Sequence, residues 1–116
     1  MDDLVTRLTQ TNAVTATRIK ESPKMLKESI DRRYVHLTFD KTGTELGFKL
    51  DKTNCKLEKA DFESGKGSIH LEGGLILNYV KVRVVADVDL VSLKGSGFLK
   101  PVADNEYSSM MNDSKN

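Results

Sequence analysis

The chain has 116 residues, 38% hydrophobic and 30% charged, a globular balance that suits one domain and is short for two. Its 18 basic and 17 acidic side chains leave a formal net charge of +1, so the composition gives no reason to expect nucleic acid or an anionic membrane surface as partner. The lone cysteine, Cys55, excludes an intramolecular disulfide and fits a reducing compartment.

The start, Met1-Asp2-Asp3-Leu4, is acidic where a signal peptide is basic. The apolar-looking stretch from Gly74 to Leu93 contains Asn78, Lys81, Arg83, Asp87 and Asp89, which excludes a lipid-spanning helix and membrane insertion. The expected location is cytoplasmic.

Residues 1–33 read as an N-terminal helical segment. Leu4 and Leu8 share one helical face, although the stretch from Thr9 to Thr17 holds four threonines and a valine and has poor helix propensity. Ser22-Pro23 is a fresh helix start, with Ser22 as N-cap, Pro23 at the first position, and Leu26 and Ile30 on the apolar face.

From Tyr34 the apolar period changes to 2. Val35, Leu37 and Phe39, then Leu46, Phe48 and Leu50, flank the turn Lys41-Thr42-Gly43-Thr44 and predict a hairpin with one apolar face. Cys55, Leu57 and Phe62 suggest a weaker third strand. Gly73-Gly74 then reads as a two-residue hairpin loop, since both positions tolerate positive φ. That turn places Leu71 opposite Ile76 and His70 opposite Leu77, and starts a long strand from Ile76 to about Leu90. Lys94-Gly95-Ser96-Gly97 predicts a further turn before a last strand from Phe98 to Val102. Residues 34–102 thus form an antiparallel β domain, and 103–116, rich in Asn, Asp, Ser and Lys, read as a flexible tail. The expected fold class is α+β: an N-terminal helical segment followed by a curved antiparallel meander of about six strands, closed or curled into a half-barrel.

No catalytic, cofactor-binding or metal motif emerges, and no cofactor is expected. Gly65-Lys66-Gly67-Ser68 lacks the spacing of a phosphate loop. His70 and Glu72 supply two metal ligands where a structural zinc site takes four. The hairpin register instead singles out a second apolar face, carrying Leu75, Leu77, Tyr79, Val85, Val91 and Leu93. On a soluble protein such a face needs a cover, from the N-terminal helices or from another chain. Asn78 is a polar residue on the other, apolar face. The sequence therefore predicts a non-enzymatic binding or assembly module acting through the apolar face, a strand edge or the termini. Its partner is a protein or its own copy, with a homo-oligomer expected. The alternative is a small-ligand carrier or enzyme whose curved sheet encloses a pocket with Asn78 and His70 as polar groups.

Overall fold

A computed structural model describes residues 3–16 and 23–112. The elements in chain order are α1 (Asp3–Leu8), β1 (Asn12–Thr15), α2 (Pro23–Asp31), β2 (Tyr34–Phe39), β3 (Thr44–Leu50), a 3-10 turn (Lys52–Asn54), β4 (Ala60–Asp61), β5 (Lys66–Leu77), β6 (Val80–Asp89), β7 (Lys94–Pro101) and α3 (Asp104–Asn112). The α+β class and the curved antiparallel sheet hold. Neighbours run in the order β3-β2-β1-β7-β6-β5-β4, and an added pairing of β3 with β5 closes β3, β2, β1, β7, β6 and β5 into a barrel. Among the described residues no helix is long and apolar enough to cross a membrane.

The period-2 stretches fold as expected. β2 and β3 pair from Tyr34↔Lys49 to Phe39↔Thr44, and Val35, Leu37, Phe39, Leu46, Phe48 and Leu50 point into the core. β5 adds Ile69 and Leu71 to it, and β6 adds Val82, Val84, Ala86 and Val88. Helices contribute Val5, Leu8, Leu26 and Ile30. α2 starts at Pro23 as expected, while its expected cap, Ser22, lies outside the described residues.

Four expectations give way. First, the stretch read as weak helix contains β1, in which Asn12 to Thr15 pair with β7 and Val14 and Thr15 also pair with β2. The β-branched residues that lower helix propensity are at home in this strand, which fills the gap between two neighbours.

Second, Gly73-Gly74 is not a turn. β5 runs through it unbroken to Leu77, and neither glycine is among those with positive φ. The pair lies where β3 meets β5, with Leu50↔Gly73 and Lys49↔Gly74 in register. A Cβ on Gly73 would collide with the Lys49 carbonyl and the Phe48 ring. Gly73 is there for close backbone approach, and neither glycine reverses the chain.

Third, Lys94, Gly95, Ser96 and Gly97 lie inside β7. The reversal falls at residues 90–93, where Leu93 takes φ 57° and its N–H donates to the Asp89 carbonyl at 2.8 Å. The weak third strand is reduced to a bridge of Lys56 with His70 and the two residues of β4.

Fourth, residues 104–112 of the expected tail form α3, with acidic Asp104 and Glu106 in its first turn and Met110 only 2% exposed. Tyr107, Met110 and Met111 are spaced as one helical stripe, a signal hidden among polar neighbours.

Two expected outcomes follow from this packing. Gly73→Val should lower stability by about 2 kcal/mol or more, because the barrel cannot close around the added carbons. An unchanged urea midpoint would show that β3 and β5 do not meet there. Ending the chain at Val102 should lower the melting temperature, since burying a methionine side chain is worth about 1.5–3 kcal/mol. A thermal melt indistinguishable from the full chain would remove α3 from the folded body.

Candidate functional site

β5 and β6 are paired from Ser68↔Asp89 to Leu77↔Val80, leaving Asn78 and Tyr79 as a two-residue loop. Both have positive φ, 47° and 71°, as a type I′ turn requires. Asparagine suits the first position. The second usually takes glycine, because a Cβ in the left-handed region costs on the order of 1 kcal/mol. Here it is Tyr79, whose side chain is fully in solvent at 101% relative exposure. Ile76, on the outer face just below, is 52% exposed. The hairpin tip thus presents two of the five large hydrophobic side chains exposed among the described residues.

Below the tip, strand alternation sends His70, Glu72, Gly74 and Ile76 of β5 outward, beside Asp87, Val85, Arg83 and Lys81 of β6. α3 lies across this face. The bare Gly74 accommodates it: a Cβ there would meet the terminal methyls of Met110 and Met111 at 3.0 and 3.1 Å. Lys81 Nζ donates to Asp104 at 3.0 Å and sits 5.7 Å from the centre of the Tyr107 ring. Lys49 Nζ donates to the Met111 carbonyl at 2.8 Å.

The polar centre is Arg83. Its Nη1 donates to Oδ2 of Asp51 and to Oε1 of Glu72, and its Nε to Oε2 of Glu106 in α3, all at 3.0 Å. Asp51 is the buried charged residue among those described, held also by Asn54 Nδ2 at 2.7 Å. Burial opposes the charge on Arg83, but its hydrogen bonds to Glu106 and Asp51 outweigh it and raise its pKa further above the ordinary value. Cys55, expected in the core, is half-buried against it. Burial pushes its thiol pKa up, although the Glu72 backbone N–H donates to its Sγ at 3.4 Å. These contacts suit a structural thiol rather than a reactive one.

The six residues expected on a common apolar face are divided. Leu75 and Leu77 turn inward and pack partly buried against the core, and Leu93 is buried within it. Val85 is half-buried on the outer face, Val91 is exposed in the turn between β6 and β7, and Tyr79 is at the opposite, Asn78-Tyr79 end of β6. The cause is the misplaced turn: moving the reversal from Gly73-Gly74 to Asn78-Tyr79 inverts which face each β5 residue takes after Gly73. Ile76, expected inside, moves out by the same shift.

The two candidate pocket groups do not converge either. Asn78 is exposed at the tip, and His70 lies eight positions earlier along β5, roughly 25 Å away at strand rise. His70 borders a depression of about 360 Å³ with Lys56, Glu58, Lys59, Ser68, Ile69 and Asp87, which includes neither Asn78 nor Tyr79. Arg83 and Glu106, the residues that tie α3 to the sheet, were not singled out as a pair; nothing local in the sequence links positions 23 residues apart.

Replacing Arg83 with methionine should cost about 3 kcal/mol or more, since it leaves Asp51 buried without its cation. Arg83→Met and Asp51→Asn together should recover part of the loss. Chemical denaturation of the three variants checks this, and a neutral single substitution would contradict the ion cluster.

Among curated proteins none matches the chain. A family model described as the core binding factor beta subunit matches residues 1–114. That span takes in every element from α1 to α3. The chain therefore belongs to the core binding factor beta subunit family.

Proposed function

We propose that this protein is the non-catalytic subunit of a transcription-factor complex and docks on its partner through the tip of the β5–β6 hairpin, with Tyr79 as anchor and Ile76 and Asn78 beside it. The family is one of non-enzymatic, protein-binding subunits, which supports the binding-module reading over the ligand-pocket one. The family match lends no support to the expected homo-oligomer, and the partner in this reading is a different protein, a transcription factor. With a formal charge of +1 the chain has no large field for phosphate, so its effect on nucleic acid runs through the partner. Its place of work follows the partner into the nucleus rather than stopping at the cytoplasm.

One observation carries the choice of surface. Tyr79 occupies, fully exposed, a left-handed turn position that glycine fills at lower conformational cost. A side chain kept at such a position against backbone preference points to a role outside the fold. Tyrosine is also among the residue types that dominate binding energy at protein interfaces. The neighbouring Ile76 widens the patch, and the paired strands beneath hold it rigid, which lowers the entropy cost of docking.

Tyr79→Gly separates fold from function. It should keep or raise the unfolding midpoint, by relieving the turn. It should also weaken binding to the purified transcription-factor subunit by about 2 kcal/mol or more, roughly 30-fold. Val91→Ser, at the far end of β6, should leave both unchanged. Calorimetric titration measures all three proteins, and undiminished affinity in Tyr79→Gly would move the docking surface elsewhere.

A further inference from the structure

Both ring nitrogens of His70 face carboxylates. Nε2 lies 2.7 Å from Oε2 of Glu72, and Nδ1 lies 2.8 Å from Oδ1 of Asp87. A neutral imidazole has one N–H and one lone pair. It can satisfy one carboxylate while turning its lone pair against the other, whereas the imidazolium donates to both. The geometry is that of the charged ring.

The surrounding charges come from several elements. β5 supplies Glu72, and β6 supplies Asp87 and, beyond Glu72, Arg83. Lys56, Glu58 and Lys59 line the depression beside the ring. Asp51 and, from α3, Glu106 join through Arg83. Partial burial pulls the His70 pKa down, but the hydrogen bonds and charges of Glu72 and Asp87 outweigh it and raise it above 6.5.

Glu72 is thus shared by two cations, Arg83 on Oε1 and His70 on Oε2. Once His70 is neutral, Glu72 draws on Arg83 alone, and this one guanidinium has to offset the full charge of Glu72 as well as Asp51 and Glu106. They differ in how well water can replace it. The side chains of Asp51, Glu72 and Glu106 are 6%, 21% and 39% exposed. Glu106 loses least by turning to solvent.

We infer that His70, Glu72 and Arg83 form a proton-operated clasp for α3: the charged ring relieves Arg83 of part of Glu72 and leaves it to hold Glu106, and the neutral ring loosens that link. The clasp reaches the hairpin, because α3 seats Met110 on Gly74, two residues from Ile76. It does not depend on the tip being the docking surface. The sign follows from the raised pKa. The stabilisation is fully present below the unfolded histidine value near 6.5 and is lost as pH rises through the higher folded value.

Two-dimensional NMR of the full chain from about pH 5 to 9 tests it. The His70 ring should titrate with a midpoint above 6.5, and the amides of Glu106 and its α3 neighbours should shift with that same midpoint. In Glu106→Gln, His70 should still titrate while the α3 amides stay still. In His70→Gln, the α3 transition should vanish. A His70 midpoint at or below 6.5, or α3 amides indifferent to His70, overturns the clasp. The wild-type titration and Glu106→Gln decide the matter even if His70→Gln folds poorly.

Discussion

Closure of the barrel at Gly73 and Gly74 sets most of what lies around it. β3 and β5 pair over only two residue pairs, Leu50↔Gly73 and Lys49↔Gly74, yet that contact completes the ring. Both glycines are required there for different reasons. Gly73 admits the β3 backbone and Phe48 on one side, and Gly74 admits the methionines of α3 on the other. Since β5 passes through this point extended, its hairpin with β6 turns beyond it, at Asn78-Tyr79. Side-chain parity is then fixed along the whole strand, and a slip of one residue would exchange His70, Glu72 and Ile76 for Ile69, Leu71 and Leu75 on the outer face. The ion cluster, the seat of α3 and the exposed tip are all consequences of that parity.

The cluster around Arg83 adds specificity more than stability. Partly buried ion pairs recover little beyond their desolvation cost, so an apolar replacement of matched shape could pack as well. What the charges do is tie together pieces that share no strand pairing: Asp51 ahead of the 3-10 turn, Glu72 on β5, Arg83 on β6 and Glu106 on α3. A short helix with one well-buried side chain, Met110, has little apolar area to define where it sits. Polar links from Arg83 and Lys81 supply the register that its thin apolar stripe lacks.

The parts legible from sequence are those whose signal is local and periodic. The alternation from Val35 to Leu50 and the Ser22-Pro23 start each contain their own evidence, and the hairpin and α2 appear where they are expected. Gly73-Gly74 shows where such reading stops. A glycine pair says that no Cβ is wanted, but not whether the reason is positive φ within the chain or a neighbour 24 positions away, as Lys49 is from Gly73. The true loop, Asn78-Tyr79, carries half the usual sequence mark, since its second residue is not glycine. The candidate face inherited the error: of its six members Tyr79 alone lies in the tip loop, and Asn78, set aside as a pocket group, is its neighbour there. β1 is only four residues long, and α3 hides its stripe of Tyr107, Met110 and Met111 among polar residues. Both are defined by what they pack against.

The missing glycine in that loop also bears on function. Where local preference and observed conformation agree, a residue needs no explanation beyond folding, as with Asn78 in its left-handed position. Tyr79 has the opposite standing: its backbone resists the conformation, and its side chain, wholly in water, gains nothing from the core. Stability alone would select glycine there. Val91 is also exposed in a turn, but it is not among the residues with positive φ, so no comparable backbone cost has to be explained. Membership in a family of protein-binding subunits agrees with the docking role proposed for this residue. Ten residue pairs of β5 and β6, with α3 laid across their outer face, hold the backbone of the loop that carries Tyr79. For the proposed docking, a loop already ordered by its strands needs little further ordering, and a tyrosine has only two side-chain torsions to fix.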